Sequence, residues 1–549
     1  MKELFRANRK GLLAVLLATV VLLGFRFLGV LVYDTNDDAI MAAISYGYYG
    51  LPEGNLVYIH PLLGGLLAAL QRMVPGVSWY LLMELGILFV SMVALYSLVL
   101  DQEEGAWALP ALTVLTVYLT YALLFRMQYT KIAGCAAAAG MLLLFRAVEK
   151  RRRWYAYLLG LLLAVSGFLL RDSAFFMVLI PLAGVGTWYG IRYLRAGERK
   201  QAAVLVGTFV LLFAICGGLM AGQRLTRDPA WDHYRQYNAL RTELMDYGFP
   251  DYGENQALYQ SLGISEADLA LYQSWDFGDP ERFTIPVMEA LVGAKQPRVF
   301  SLGAVLSCVK ASLRGILHYD FAACLLLAIL LWLWRGDGAG LLLGLYELAA
   351  LFGTETYLLY TGRGLRERVD AALVLAVLAV LLAVCTGSEK RKGSLTMGAG
   401  ILLSAAMVLG QCPGLMSRKD DAMERYVGAA HLHAAYQVMN RDEDTLYLTR
   451  TDELPPDRMP GRQGGFGYFG NIATLGGWLT DSPCVLERYA RYGVTNPFRD
   501  LVDSEKLRLV SNAPEPVLDY IRAHYAHDAR LVEVDCIRGE YQVWKIVAK

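Results

Sequence analysis

Residues 11–38 read GLLAVLLATVVLLGFRFLGVLVYDTNDD. From Gly11 to Val32 the only charge is Arg26, and then Asp34, Asp37 and Asp38 follow almost at once. A bilayer core is crossed by ~20 apolar helical residues, so this run is long enough to span. The stretch before it, Met1–Lys10, is basic. The run is too long for a signal-peptide core and lacks a small-residue cleavage site, so it reads as an anchor entering from the cytoplasm. The acids therefore belong just beyond the far membrane face.

The pattern repeats along the chain. Apolar runs recur near Trp79–Leu100, Ala106–Leu124, Ile132–Val148, Trp154–Leu170, Ala174–Tyr193, Ala202–Ala221, Tyr319–Trp334, Leu341–Tyr360, Val369–Cys385 and Leu395–Gln411. Of 549 residues, 56% are hydrophobic and 19% charged, with mean hydropathy +0.36, which excludes a soluble or disordered chain. The runs are too long and evenly apolar for barrel strands, which leaves an α-helical polytopic membrane protein. Fifty-one basic residues balance fifty-one acidic ones, so no global basic field exists to hold nucleic acid. Eight cysteines, five of them in or near apolar runs, make no disulfide scaffold, and no CxxC or HExxH spacing signals a metal.

The apolar stretch His60–Val74 is shorter and contains Pro61 and Gly64-Gly65. Lys and Arg concentrate in cytoplasmic loops, so charge decides its status. Placed in the outer interface, it leaves 16 basic residues in inner segments and 7 in short outer loops; placed across the membrane, it gives 11 and 12. The first arrangement predicts eleven spans, a cytoplasmic N-terminus and an extracytoplasmic C-terminus. It divides the chain into a transmembrane module 1–222 with an outer loop 33–78, an outer subdomain 223–317, further spans 318–411, and an outer C-terminal domain 412–549.

In the first outer loop, Asn36 or Asp37 suits the cap of a helix Asp38–Tyr49. A carboxylate at the membrane face also suits proton removal from a hydroxyl. Tyr46, Tyr48, Tyr49 and Tyr58 read as an interfacial aromatic belt. In the second outer piece, Ser265–Gln273 starts with a capping-box-like Ser-Glu-Ala-Asp. The C-terminal region alternates strand-like runs (Thr445–Leu448, Leu507–Val510, Leu531–Val534, Tyr541–Val547) with helical ones (Arg425–Met439, Pro514–Tyr525), which predicts a small α/β domain. Gly461–Gly470, GRQGGFGYFG, lacks the GxGxxG fingerprint and reads as a mobile loop.

Ionisable residues gather at the predicted outer ends of spans: Glu84, Arg126, Lys131, Arg171, Asp172, Glu355, Arg363, Arg366 and Arg368. Each alone reads as a helix-end charge reaching the interface. Together they place acids and guanidinium groups on one membrane face. Arg363 and Arg366, three apart, share one side if helical, and guanidinium suits phosphate oxygens.

These features together resemble the GT-C-type integral-membrane glycosyltransferases, in the bacterial branch near the protein O-mannosyltransferases and aminoarabinose transferases. The matching residues are Asp37-Asp38 after the first span, with Asp in place of the family's Glu; His60-Pro61-Leu62-Leu63 for a His-Pro-Pro-Leu-like segment; the basic loop Glu149–Arg153; and Gly362-Arg363-Gly364-Leu365-Arg366 before a late span. Lys131 stands near the place where an acid is usual. The resemblance covers roughly the first 220 residues and, more weakly, the Arg363 region. It implies a polyprenyl-phosphate-linked sugar as donor, an extracytoplasmic glycan, lipid or protein as acceptor, inversion at the sugar carbon, and a bacterial plasma membrane. It implies Asp37 as general base, Asp38 as the group that orients the acceptor or its partner acid, and Arg363 and Arg366 on the lipid phosphate. Arg126, Arg171 and His60 are further substrate-binding candidates, although His60 reads first as a helix-start residue. A divalent cation is left open. Two other classes compete: a transporter or flippase of a lipid-linked or small substrate, and a non-catalytic protein that binds envelope polymers.

Overall fold

The computed structural model describes residues 2–102, 105–225, 228–295, 301–364, 366–385, 395–454, 460–461 and 463–548. The basic stretch 389–392, counted above as an inner loop, lies outside them.

Helix α1 (Lys2–Leu28) is followed by the short α2 (Asn36–Tyr46) and α3 (Pro61–Met73), then by α4 (Trp79–Gln102) and α5 (Ala108–Leu119), which ends in a π-helical turn. A hairpin-like series follows: α6 (Tyr129–Glu149), α7 (Trp154–Leu170), α8 (Asp172–Arg195) and α9 (Arg199–Leu225). Helix α6 is the hub, and its run of small residues explains why. A Cβ added at Gly140 would lie 2.4 Å from the Ala164 nitrogen, and one at Gly167 2.6 Å from the Ala133 oxygen, so α6 and α7 touch backbone to backbone. Four short helices come next, α10 (Pro229–Tyr247), α11 (Gln256–Ser261), α12 (Glu266–Gln273) and α13 (Ile285–Gly293). The predicted capping box is formed: Ser265 Oγ accepts from Asp268 N at 3.1 Å and the Asp268 carboxylate from Ser265 N at 2.8 Å.

Helices α14 (Leu302–His318) and α15 (Ala322–Arg335) meet at 100°. The sequence reading ended the second outer piece at 317 and saw only the second arm; the first is an amphipathic helix packed on α16 (Gly338–Thr361). Helix α17 (Glu367–Ala383) is buried throughout its apolar length. Among the described residues six helices are long and apolar enough to cross a membrane, or seven if the bent pair is one span. The protein is thus polytopic and helical.

Helix α18 (Met397–Met439) changes the predicted boundary at 412: the last span and the first helix of the C-terminal domain are one rod of 43 residues, about 65 Å long at 1.5 Å per residue. Pro413 sits inside it, and Tyr121 supports that point by donating to the Gln411 carbonyl at 2.9 Å. The rod delivers a five-stranded sheet of β1 (Leu446–Thr449), β2 (Ile472–Thr474), β3 (Leu507–Val510), β4 (Arg530–Ile537) and β5 (Tyr541–Val547), with α19 (Pro483–Arg491) and α20 (Glu515–His524). The order is β2-β1-β3-β5-β4: the first three strands are parallel and the last two antiparallel. The three-residue β2 was not foreseen.

Two expectations fail for one reason. The Gly461–Gly470 segment is not a free loop, and Tyr46 and Tyr48 are not an interfacial belt. Gly467 N donates to Gly47 O and Phe469 N to Tyr48 O, each at 2.7 Å, and Tyr48 is buried against Tyr468 and Phe469. These aromatics are the glue between the first loop and the C-terminal domain. The middle helices are tied to the same domain: Asp276 accepts from Arg450 Nε at 2.8 Å, and Tyr520 donates to Asp279 at 2.9 Å.

Candidate active site

The site grows from α2. Its cap residue is Thr35, which makes no side-chain cap bond, so neither Asn36 nor Asp37 caps the helix as the sequence suggested. The two acids instead point to different places. Asp38 is fully buried; its Oδ1 accepts from Tyr129 N at 2.9 Å and from the Tyr80 hydroxyl at 3.2 Å. Burial, then the charge of Asp37, push the Asp38 carboxyl up to about 7, against the pull of its hydrogen bonds. Asp37 faces a cavity of about 440 Å³ and pairs with Arg368 Nη1 at 2.5 Å.

That cavity lies where the helix bundle meets the C-terminal domain. Asp37 and Ile40 of α2, Asp246 of α10, and Arg366 and Arg368 at the start of α17 form one side. The opposite wall carries Thr449 at the end of β1 and Thr451 after it, Thr474 at the end of β2 with Gly476 and Trp478 after it, and Arg488 of α19. The carboxyl ends of parallel strands are where open α/β sheets receive ligands, and the wall uses those ends. Close backbone approach fixes the Gly476 position: a Cβ there would fall 1.8 Å from the Trp275 oxygen, and Gly477 has φ +86°.

Arg366 reaches the cavity and Arg363 does not. The helical pairing expected of the two fails because Gly362 (φ 93°) closes α16 and Gly364 (φ 69°) follows, so the segment is a turn. Leu365 lies outside the described residues. Arg368 takes the position expected of Arg363, beside the acid; it carries the same outer-end charge signal and was passed over for lack of a motif.

The other candidates stand off the cavity. Arg126 binds Glu367 at 2.8 Å and Asp421 at 2.9 Å. Lys131, fully buried, binds Asp34 at 2.9 Å and Glu367 at 3.2 Å. Burial alone would raise the Asp34 carboxyl, but Lys131, Arg126 and Arg425 outweigh it and hold it below its ordinary value. Arg171 lies 4.8 Å from the Tyr58 ring centre, and Tyr58 stacks on Tyr129; the charge of Asp37 acts on both rings. His60 caps α3: its Nδ1 accepts from Leu62 N at 3.2 Å, and its Nε2 lies 3.2 Å from the Leu219 carbonyl. That is the helix-start role.

Among the described residues no group of three or more His, Cys, Asp or Glu side chains is placed to hold a metal. Asp37 is engaged by an arginine and Asp38 by two donors, so this pair does not fit a divalent cation. Sequence reasoning missed the whole C-terminal wall. The available signal was Thr474-Leu475-Gly476-Gly477-Trp478, glycines directly after a strand. No protein-family model, no curated protein and no solved structure matches the chain.

Proposed function

We propose that the protein is an integral-membrane glycosyltransferase of the GT-C type, with eleven spans. In this reading the C-terminal domain and the cavity face the extracytoplasmic side of a bacterial plasma membrane. With the bent pair α14 and α15 taken as one span, helices α5, α7, α16 and α17 bring the count from seven to eleven. The observation that carries the reading is the meeting of Asp37 with Arg368, 331 positions away, in one cavity that Arg366 also lines.

The donor is a polyprenyl-phosphate-linked sugar and the acceptor a hydroxyl of an extracytoplasmic glycan, lipid or protein. The hydroxyl oxygen attacks the anomeric carbon from the face opposite the phosphate. Its proton passes to the Asp37 carboxylate. The bond from the anomeric carbon to the phosphate oxygen breaks, and its electron pair leaves on the polyprenyl phosphate. Arg366, and Arg368 from its place beside Asp37, offset the charge that grows on that phosphate. Asp38 acts from behind: it anchors α2 through Tyr80 and Tyr129 and so positions Asp37. No step needs a metal.

The test uses full-length protein in lipid nanodiscs with a polyprenyl-phosphate sugar labelled on the sugar, measuring release of label from the lipid. Asp37→Asn is expected to slow release at least ~100-fold, the lower end for loss of a positioned base. Equal rates in both proteins overturn the reading. In a parallel assay in sealed proteoliposomes, movement of intact donor to the lumenal side, unaffected by Asp37→Asn, supports the transporter class instead.

A further inference from the structure

Two buried arginines of the extramembrane part have no carboxylate partner among the described residues: Arg241, which donates to Asn238 and Thr242 and does not line the cavity, and Arg488. Arg488 is 3% exposed and lines the cavity. Its guanidinium lies 4.3 Å from the Tyr49 ring centre and donates to the carbonyls of Ile472 and Cys484. Among the described residues no carboxylate pairs with it. Arg450, also buried in the same domain, shows the ordinary solution: it holds Asp276, Asp452 and Glu453. A buried cation served only by carbonyls and a ring face is left with its net charge uncompensated. Of the three acids that line the cavity, Asp37 pairs with Arg368, the charge of Asp246 also acts on Arg368, and Asp452 lies by Arg450, so none of them serves Arg488.

We propose that Arg488 is the recognition point for an anionic group, carboxylate or phosphate, on the acceptor that the cavity takes. This rests on the glycosyltransferase reading only in the word acceptor; the anion site is tested by itself. The position supports the assignment to the acceptor. Arg366 and Arg368 come from the start of a membrane helix, where a lipid-borne donor phosphate arrives. Arg488 comes from the opposite wall, supplied by the C-terminal domain. Thr449, Thr474 and Trp478 beside it offer the hydroxyls and aromatic face that suit a sugar ring. The guanidinium fork binds either anion in two-point fashion.

The experiment measures binding without donor and without turnover. Full-length protein in nanodiscs is titrated with methyl glucuronide, methyl glucoside and inorganic phosphate, and tryptophan fluorescence is followed; Trp275 and Trp478 line the cavity. At least one anion is expected to bind tenfold or more tighter than the neutral glucoside. Preference for glucuronide assigns the group as a carboxylate, preference for phosphate as a phosphoryl group. Arg488→Gln should abolish the preference, and Arg488→Lys, which keeps charge without the fork, should retain part of it. Arg491→Gln, an exposed arginine on the same helix, should leave it unchanged. Equal affinity for glucuronide, phosphate and glucoside overturns the proposal. So does anion binding that survives Arg488→Gln and disappears in Arg366→Gln. Loss of sugar transfer with anion preference intact counts against the catalytic reading alone.

Discussion

Asp34 and Asp37 stand three positions apart, yet they enter two different kinds of charge assembly. Asp34 belongs to a closed one. Four acids (Asp34, Asp320, Glu367, Asp421) meet four bases (Arg126, Lys131, Arg418, Arg425), and each finds a partner within 4.0 Å. Asp37 belongs to an open one, where a single ion pair with Arg368 sits beside a cavity and Arg366 and Arg488 have no carboxylate partner among the described residues. Glu367 of the first assembly lies between Arg366 and Arg368 of the second. The alternation is geometric: at the start of α17, successive residues point to opposite sides, one into the bundle and one into the cavity. Charge density alone therefore does not mark the site; charge left over for a ligand does.

The comparison breaks most sharply at its two extremes. Asp37→Asn should lower sugar transfer by a factor on the order of 10²–10⁴ while the protein melts close to wild type, because the amide still accepts from Arg368. Lys131→Met should do the reverse. It leaves Asp34 with only the 4.0 Å contacts to Arg126 and Arg425 and takes one of three cations from Glu367, at about 3 kcal/mol, the low end for a broken buried pair, so the purified protein should melt earlier. Thermal denaturation and transfer rates on both variants decide the matter. A stable Lys131→Met, or an Asp37→Asn that unfolds, would erase the distinction between the assemblies.

How far the sequence reached follows the same line. Apolar runs announce helices because lipid demands internal hydrogen bonding, and every run named above lies largely in a helix. The strands β3 and β5 were legible in full, since short β-branched runs between turns have few alternatives. The acid at position 37 was singled out as a charge just beyond a span, and it does line the cavity. Its true partner was not. Choosing Arg368 over Arg363 requires the turn made by Gly362 and Gly364. Seeing Arg488 as a cavity residue requires the docking of the 461–470 segment on Gly47 and Tyr48, a contact across more than 400 positions that no local pattern encodes.

A finer division separates the two arginines first expected to act together. Arg366→Gln should raise KM for a lipid-phosphate donor about tenfold, near 1.4 kcal/mol, the low end for a charged hydrogen bond because the residue is exposed. Adding salt should weaken wild-type donor binding and affect the variant less. Arg363→Gln, off the cavity, should change KM little. Equal effects of the two substitutions would show that the turn does not sort them.

The smallest effect concerns Asp38, the acid that belongs to neither assembly. Its carboxyl moves from 3.8 to about 7 in the folded protein, chiefly through burial. The sign follows from linkage. Below about pH 4 the group is protonated whether the chain is folded or not, and its contribution is complete. As the pH rises towards 7 the unfolded chain releases the proton and the folded one keeps it, so stability drains away across that window and levels off above it. Glu84, Tyr33 and Tyr80 surround the group and remain in the variant. Asp38→Asn keeps an oxygen for Tyr129 N and Tyr80 and carries no charge, so its melting temperature should fall less steeply between pH 4.5 and pH 7, by a few degrees over the range. An unchanged slope would mean that Asp38 is ionised in the folded state and is paired by something other than its neighbours on α4 and α6. It would then belong with Asp37 in the open assembly, and the boundary between the two assemblies would run between Asp34 and both acids of α2.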